Sequence, residues 1–207
     1  MSKRRSSTKK WLQRQSSDPY VKQRVKEGAR SRAVFKLDEL LAKQVLVQRG
    51  GKVVDLGAAP GAWSERVKDI VGPKGQVVAV DLLDIEPIAG VQILTGDVCD
   101  SETVLQVTDI IGRNAADLVL SDIAPNITGI RDADEANFLE IAEAVLHVAT
   151  YVLKPGGAIL LKMFQFPGTD GYVKELKNSF EKVSRRKPAA SRKQSKEFYV
   201  VASGFKL

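Results

Sequence analysis

The amino-acid sequence predicts an α/β fold, in which a mostly parallel sheet is covered by helices on both faces. Short apolar runs of strand length alternate with amphipathic helical segments, and Gly or Pro residues stand at many of the junctions between them. The length of 207 residues, with 43% hydrophobic and 28% charged residues, suits one such domain and is short for two.

The predicted elements follow from changes in hydrophobic periodicity along the chain. Helical spacing predicts helices at 33–47, 62–71, 135–153 and 170–180. Short apolar runs predict strands at 52–57, 76–81, 91–95, 117–121, 158–164, 182–187 and 198–205. Because this alternation implies right-handed crossovers in a parallel sheet, we expect ligands to bind beyond the carboxyl ends of the strands.

Charge is distributed unevenly along the chain. Residues 1–36 hold 12 Lys/Arg and 2 Asp/Glu, residues 182–196 hold seven basic residues and no acid, and residues 37–181 carry a net charge of −10. Such segregation favours a protein that holds a polyanion between two basic regions. We expect residues 1–20 to be a flexible basic tail, for which a purely solubilising role is the alternative, and 21–207 to form the domain.

Composition also narrows the class of protein. No apolar run approaches the roughly 20 residues that cross a bilayer, and the basic N-terminus is not followed by the apolar stretch of a signal peptide. The single cysteine, Cys99, excludes an internal disulfide and is expected to be a small buried side chain. We therefore expect a cytoplasmic protein with no metal site and no membrane partner.

The segment Asp55–Ser64, DLGAAPGAWS, lies where the first predicted strand turns into a helix. Gly57 and Gly61 allow the backbone of such a turn to approach a ligand closely. The dinucleotide fingerprint GxGxxG is absent, since Ala59 and Ala62 stand at two of its glycine positions, and no phosphate-loop motif is present. These absences favour a ligand without a pyrophosphate, a condition that a sulfonium nucleoside with an amino-acid tail meets.

Four carboxylates end or adjoin four successive predicted strands, although acidic residues are depleted in strands. They are Asp55, Asp81, Asp97 and Asp122. Asp81 is placed to accept hydrogen bonds from both hydroxyls of an adenosine ribose, and Asp97 is placed to accept one from an adenine amino group. For any one of these carboxylates taken alone, the alternative is a structural role in a turn or a helix cap. Trp63 either packs on the adenine or fills a gap between helix and sheet.

Two lysines differ in what their positions indicate. Lys162 interrupts the otherwise apolar run AILLKMF, and a charged side chain within such a strand needs a partner or a function. Lys36 lies on the amphipathic helix at 33–47, where its position alone is typical of a surface lysine.

Five segments in order make the chain resemble the FtsJ/RrmJ family of RNA ribose 2′-O-methyltransferases over roughly residues 18–207. The segments are SRAVFKL at 31–37, DLGAAPGAWS at 55–64, SDIAPN at 121–126, LLKMF at 160–164 and SKEFY at 195–199. The resemblance implies a Rossmann-like, seven-stranded fold that binds S-adenosylmethionine. The sequence departs from the family pattern at Ala62, where a second glycine is usual. The methyl side chain of this alanine is expected to narrow the loop slightly.

The resemblance also implies the site residues. The catalytic tetrad maps onto Lys36, Asp122, Lys162 and Glu197. Together with the motif and strand-end reasoning, the predicted cofactor contacts are Asp55, Gly57, Gly61, Trp63, Asp81, Asp97 and Asp122. Lys162 either removes the proton of the ribose hydroxyl or only orients that hydroxyl.

The substrate that the resemblance implies is a ribose 2′-hydroxyl of RNA, with a uridine of 23S rRNA in the large ribosomal subunit as the expected target. A tRNA or mRNA-cap methyltransferase is the alternative within this class, and a non-catalytic RNA-binding module is the alternative outside it. If Lys36 meets Glu197, the two basic segments converge on one site. We then expect phosphate contacts from Arg30, Arg32, Arg185 and Arg186, in a protein that works as a monomer and does not bind DNA.

Overall fold

A computed structural model describes residues 19–125, 127–192 and 194–207. The strands are β1 (Lys52–Leu56), β2 (Gln76–Asp81), β3 (Val91–Thr95), β4 (Ala116–Ser121), β5 (Leu153–Phe164), β6 (Phe180–Arg186) and β7 (Glu197–Phe205). They form one sheet in the order β3-β2-β1-β4-β5-β7-β6, and only β7 runs antiparallel to its neighbours. The mostly parallel, seven-stranded sheet that the sequence predicts is confirmed.

Helices cover both faces of this sheet. They are α1 (Pro19–Glu27), α2 (Ala33–Leu41), α3 (Ala62–Val71), α4 (Ser101–Ile111), α5 (Arg131–Val152) and α6 (Thr169–Ser179). Apolar residues of α4, α5 and α6 pack in one buried cluster, and those of α2 and α3 pack in a second. Neighbouring residues of one strand, such as Val53 and Val54, enter different clusters, because successive side chains of a strand point to opposite faces.

The structure departs from the predicted helices in several places. Helix α4 was not predicted; its N-terminus is capped by the Asp100 side chain, which accepts a hydrogen bond from the Glu102 backbone N–H at 3.2 Å. Helix α5 begins at Arg131, four residues before the predicted start, because its first turn carries acidic residues that suit a helix N-terminus. Helix α2 ends at Leu41, six residues short of the predicted end at 47.

The prediction that Cys99 is buried is wrong. Its side chain is exposed in the loop between β3 and α4, where its backbone N–H donates to Asp97 Oδ1 at 2.9 Å. The residue is therefore part of a polar turn. Among the helices that the structure describes, none is long and apolar enough to cross a membrane.

The loops after β1 and β4 meet at the centre of the sheet. Their chains leave toward opposite faces, into α3 and α5, so this is the switch point where open α/β sheets bind ligands. Gly57, directly after β1, has a φ of +72°, and a Cβ at this position would lie 2.1 Å from Ile123 Cγ1. Because Gly57 has no side chain, Ile123 of the facing loop can pack against it. The glycine is therefore needed for packing, and not only for the approach of a ligand.

We expect Gly57→Ala to lower the free energy of unfolding by about 2–5 kcal/mol. Left-handed backbone costs an L-residue about 1–2 kcal/mol, and overpacking a core costs about 1–3 kcal/mol. Urea unfolding measures the loss, and adding Ile123→Ala should restore only the part that is due to overpacking. The matched control is Gly171→Ala within α6, where a Cβ meets open space and a helical alanine is favoured over glycine. A Gly57→Ala protein as stable as the wild type contradicts this account.

Candidate active site

The carboxyl edge of the sheet gathers four charged side chains from distant parts of the chain. Asp122 directly follows β4, Lys162 lies near the end of β5, and Glu197 begins β7. Lys36 reaches this edge from the middle of α2. The four residues that the resemblance marks as catalytic therefore occupy one edge of one sheet.

The four side chains form two ion pairs. Lys36 Nζ donates to Glu197 Oε1 at 2.6 Å, and the exposed fractions of the two side chains are only 12% and 13%. Lys162 Nζ donates to the backbone oxygen of Asp122 at 2.5 Å and lies 3.2 Å from Asp122 Oδ1. Lys36 is thus not the surface lysine that its position alone suggests, and Lys162, only 6% exposed, has the partner that its burial requires.

A tyrosine joins the two pairs. The Tyr199 hydroxyl donates to Asp122 Oδ1 at 2.6 Å, and Lys36 Nζ lies 5.6 Å from the centre of the Tyr199 ring. Tyr199 is fully buried and is the cross-strand partner of Lys162 in the β5–β7 ladder. Burial, reinforced by the charge of Asp122, raises the pKa of Tyr199 well above its ordinary value, so the hydroxyl stays a donor.

Sequence reasoning missed this role of Tyr199, although a signal for it exists. Glu197 and Tyr199 are two residues apart on β7, and a strand places such residues on the same face. Once Glu197 is assigned to the site, the period of two therefore predicts that Tyr199 also faces it.

Glu197 is held in its charged form. Burial of Glu197 acts to raise its pKa, but the hydrogen bond from Lys36 and the positive charges of Lys36 and Lys162 outweigh that effect and hold the pKa below its ordinary value. The carboxylate is consequently ionised at neutral pH and fixes the orientation of Lys36.

A small cavity of about 80 Å³ lies beside these pairs, between the β1–α3 loop and Asp122. Asp55 lines it and is almost completely buried. Its Oδ2 accepts a hydrogen bond from Ser64 Oγ at 2.6 Å, whereas its Oδ1 has no partner within the residues that the structure describes. Burial raises the pKa of Asp55 to about 7. An unpartnered buried oxygen at a cavity fits a cationic group of a ligand, and this is the strongest sign of a cofactor site.

Asp81 and Asp97 end their strands as predicted, and both also shape the backbone around them. Asp81 accepts from the backbone N–H groups of Ala59 at 2.8 Å and Leu83 at 2.9 Å, and Asp97 accepts from that of Cys99. A carboxylate has about four acceptor positions, so Asp81 keeps two for a ligand. The hydrogen bond that Asp81 accepts from Ala59 fixes the loop that borders the cavity.

Trp63 and Ala62 both line the cavity but belong mainly to the core. Trp63 is 3% exposed and donates from Nε1 to the backbone oxygen of Ala33 at 2.7 Å, so it ties α3 to α2. The methyl group of Ala62 packs in a cluster with Val34, Phe35 and Ala190. The Ala62 side chain, which departs from the family pattern, therefore contributes to packing.

The two basic segments meet at the same edge. In addition to the Lys36–Glu197 pair, the Glu39 carboxylate accepts from the backbone N–H groups of Ala189 at 2.6 Å and Ala190 at 2.9 Å. Residues of α2 and of the β6–β7 connection thus lie against each other beside the tetrad. This is the convergence on which the predicted RNA contacts depend.

The four arginines predicted to bind RNA differ in their surroundings. Arg30 donates to the backbone oxygens of Glu86 and Pro87, both at 2.9 Å, and Arg32 donates to that of Ala190. Arg185 pairs with Asp170 at 2.5 Å. Arg186 donates only to the backbone oxygen of Arg185 at 3.3 Å among its described contacts. Arg30 and Arg32 therefore hold loops together, and their RNA contacts remain a prediction.

Known proteins of one methyltransferase family match this chain. A family model described as FtsJ-like methyltransferase matches residues 29–205. A protein named ribosomal RNA large subunit methyltransferase E from Xanthomonas euvesicatoria pv. vesicatoria is 47% identical over 204 residues, which cover 99% of this chain and 97% of that protein. The protein of the same name from Xanthomonas campestris pv. campestris is 46% identical with the same coverage.

Solved structures share the fold. A crystal structure of a Plasmodium falciparum protein described as a ribosomal RNA methyltransferase has a TM-score of 0.74 and 26% identity, covering 85% of this chain and 98% of that one. A fibrillarin/Nop5p complex has a TM-score of 0.57 at 21% identity, with 82% of this chain covered and 81% of that one, and it supports the fold alone. From the family match over most of its length and from the close relatives, this chain belongs to the FtsJ-like methyltransferase family.

Proposed function

We propose that this protein methylates a ribose 2′-hydroxyl of large-subunit ribosomal RNA, on a uridine of 23S rRNA, with S-adenosylmethionine as the donor. The observation that carries the proposal is the buried Lys162, held against Asp122 beside the cavity that Asp55 lines and next to the Lys36–Glu197 pair. The names of the relatives support the substrate class. Because one chain supplies all four charged side chains, we expect the enzyme to act as a monomer. We also expect it to act in the cytoplasm.

Asp55, which lines the cavity, and the carboxylates at two strand ends outside its lining fit S-adenosylmethionine by their chemistry. Asp55, with its unpartnered Oδ1, would hold the ammonium of the amino-acid tail. Asp81 would accept the ribose hydroxyls, and Asp97 the adenine amino group. When bound, the cofactor supplies a methyl group on a positively charged sulfur, which is already a good leaving group. The protein's task is therefore to prepare the other reactant, a ribose hydroxyl that is protonated at neutral pH.

Lys162 is the group suited to that task. Two directions around Nζ point to oxygens of Asp122, which leaves another direction of the nitrogen open. As a neutral amine, Lys162 takes the hydroxyl proton through its lone pair while the new oxygen–carbon bond forms. As an ammonium, it donates to the hydroxyl oxygen and orients it, and the proton leaves to solvent. Both routes need the nitrogen to be fixed, which Asp122 does with help from Tyr199.

The Lys36–Glu197 pair serves the same hydroxyl from the other side. Both side chains are mostly buried, so their mutual attraction is only weakly screened by water. Glu197 is ionised at neutral pH, and its second carboxylate oxygen is available to the substrate. Lys36 fixes the orientation of this carboxylate. Holding a reactant in attack geometry in this way supplies part of the rate by itself.

We expect Lys162→Met to reduce the rate of methyl transfer to ribosomal RNA by about 10²- to 10⁴-fold, the usual contribution of a group that moves or orients a proton. Methionine keeps the length of the side chain and removes its charge and donors. A tritiated-methyl assay on large-subunit particles measures the rate. Calorimetry with S-adenosylmethionine should give nearly wild-type affinity, since Lys162 does not line the cofactor cavity.

The matched control is Lys174→Met, the same change at an exposed position of α6. It should leave both the rate and the cofactor affinity unchanged. A Lys162→Met enzyme within threefold of the wild-type rate removes Lys162 from the mechanism. A wild-type protein that transfers methyl groups to tRNA but not to ribosomal particles overturns the substrate.

We expect S-adenosylmethionine to bind more tightly as the pH rises from about 6 to 7. Because burial raises the pKa of Asp55 to about 7, a proton must leave this carboxyl before it pairs with the ligand's ammonium. The raised pKa also means that the free energy of unfolding of the cofactor-free protein falls as the pH rises from about 4 to about 7, and is flat with respect to this group above that. Asp55→Asn should remove both dependences. Titration calorimetry and urea unfolding across this range test them, and equal pH dependence in the two proteins contradicts the role of Asp55.

A further inference from the structure

A second, larger cavity adjoins the tetrad. It is a groove of about 790 Å³, within the range of about 300–1,000 Å³ that is typical of small-ligand pockets, so it has room for a nucleotide-sized group. It is lined by Arg131 at the start of α5, by residues 185–187 at and just after the end of β6, and by Gln165 and residues 194–198. Glu197 belongs to both the groove and the tetrad.

The lining of this groove is strongly basic. It contains Arg131, Arg185, Arg186, Lys187 and Lys196, and its one acidic residue is Glu197, which is already paired with Lys36. Two of these cations have structural tasks. Lys187 Nζ donates to the backbone oxygen of Ser195 at 2.8 Å, and Arg185 pairs with Asp170 while lying 5.1 Å from the centre of the Phe198 ring.

The other three cations lack an acidic partner. Within residues 19–125, 127–192 and 194–207, Arg131, Arg186 and Lys196 form no ion pair, and Arg131 and Lys196 are exposed. They come from three different segments of the chain and line the same groove. Unpaired cations around a groove give a site for phosphates, since binding there releases the counterions of a polyanion.

Arg131 is held in place by the loop before it. The Asp134 carboxylate accepts hydrogen bonds from the Thr128 N–H and hydroxyl, both at 2.7 Å, and from the Gly129 N–H at 3.1 Å. This arrangement fixes the entry into α5, and therefore the position of its first residue. The acidic neighbour Asp132 does not line the groove.

We propose that this groove binds the RNA backbone on one side of the methylated ribose, with Arg131, Arg186 and Lys196 as its phosphate contacts. The inference rests on the proposed methylation of an RNA ribose, because it takes Glu197 as the point where that ribose lies. A strand whose ribose meets Glu197 carries its next phosphate into the groove that opens from the same residue. The contacts carry charge but no base recognition, so they set the register of the strand and leave sequence selection to RNA shape.

The test is the triple variant Arg131→Gln, Arg186→Gln and Lys196→Gln, none of which contacts the cofactor cavity. The probe is a fluorescently labelled transcript of large-subunit ribosomal RNA, and its affinity is measured at several salt concentrations. Each lost phosphate contact lowers the slope of log affinity against log salt by about 0.7–0.9, so the slope should fall by about 2.1–2.7. The Michaelis constant for RNA should rise, while kcat and the affinity for S-adenosylmethionine stay at wild-type values.

The control is a second triple variant, Lys74→Gln, Arg113→Gln and Lys206→Gln. It removes the same net charge from exposed positions at the opposite edge of the sheet and should leave the slope nearly unchanged. A groove variant with the wild-type slope, or a control that lowers the slope as much, overturns the proposal. A wild-type protein that binds the transcript with this salt dependence, yet methylates neither the transcript nor large-subunit particles, overturns the proposed function and leaves the groove supported as a phosphate site.

Discussion

Glu197 reaches the carboxyl edge of the sheet only because β7 runs antiparallel to β5. The first residue of an antiparallel strand lies beside the last residue of its neighbour, and here Glu197 is paired with Phe164 and Tyr199 with Lys162. A parallel β7 of nine residues would carry Glu197 to the opposite edge, roughly 30 Å away at about 3.3 Å per residue. The reversal of one strand therefore decides whether the tetrad exists.

The same pairing explains why Tyr199 matters although it bears no charge. Asp122 has to hold Lys162 without moving toward it, and a carboxylate held from one side only is free to rotate. The Tyr199 hydroxyl holds Asp122 Oδ1 at 2.6 Å from the neighbouring strand, and its ring supports Lys36. Because this hydroxyl keeps its proton at neutral pH, it remains a hydrogen-bond donor to Asp122. The two ion pairs thus share one rigid, uncharged support.

The sequence predicted the sheet and the tetrad but not the details of the surroundings, and the difference has physical causes. Strands buried on both faces produce unmistakable apolar runs, and a lysine within such a run is visible as an exception. Helix α4 was not predicted, because its cap at Asp100 resembles any acidic turn. The close approach of Gly57 to Ile123 joins residues 66 positions apart, and no local pattern reports such a contact. Ordered motifs, rather than periodicity, placed Lys36 in the predicted tetrad.

Net charge along the chain proved a coarser guide than the pairing of individual charges. The N-terminal basic segment supplies Arg30 and Arg32, yet both donate to backbone oxygens that hold the loops around the site. Arg131 comes from the acidic body of the chain, yet it lines the basic groove without an acidic partner among the described residues. An RNA phosphate would have to compete with these backbone oxygens for the guanidinium groups of Arg30 and Arg32. The cations that remain uncommitted at the site, more than the total charge of a segment, therefore determine where a polyanion can bind.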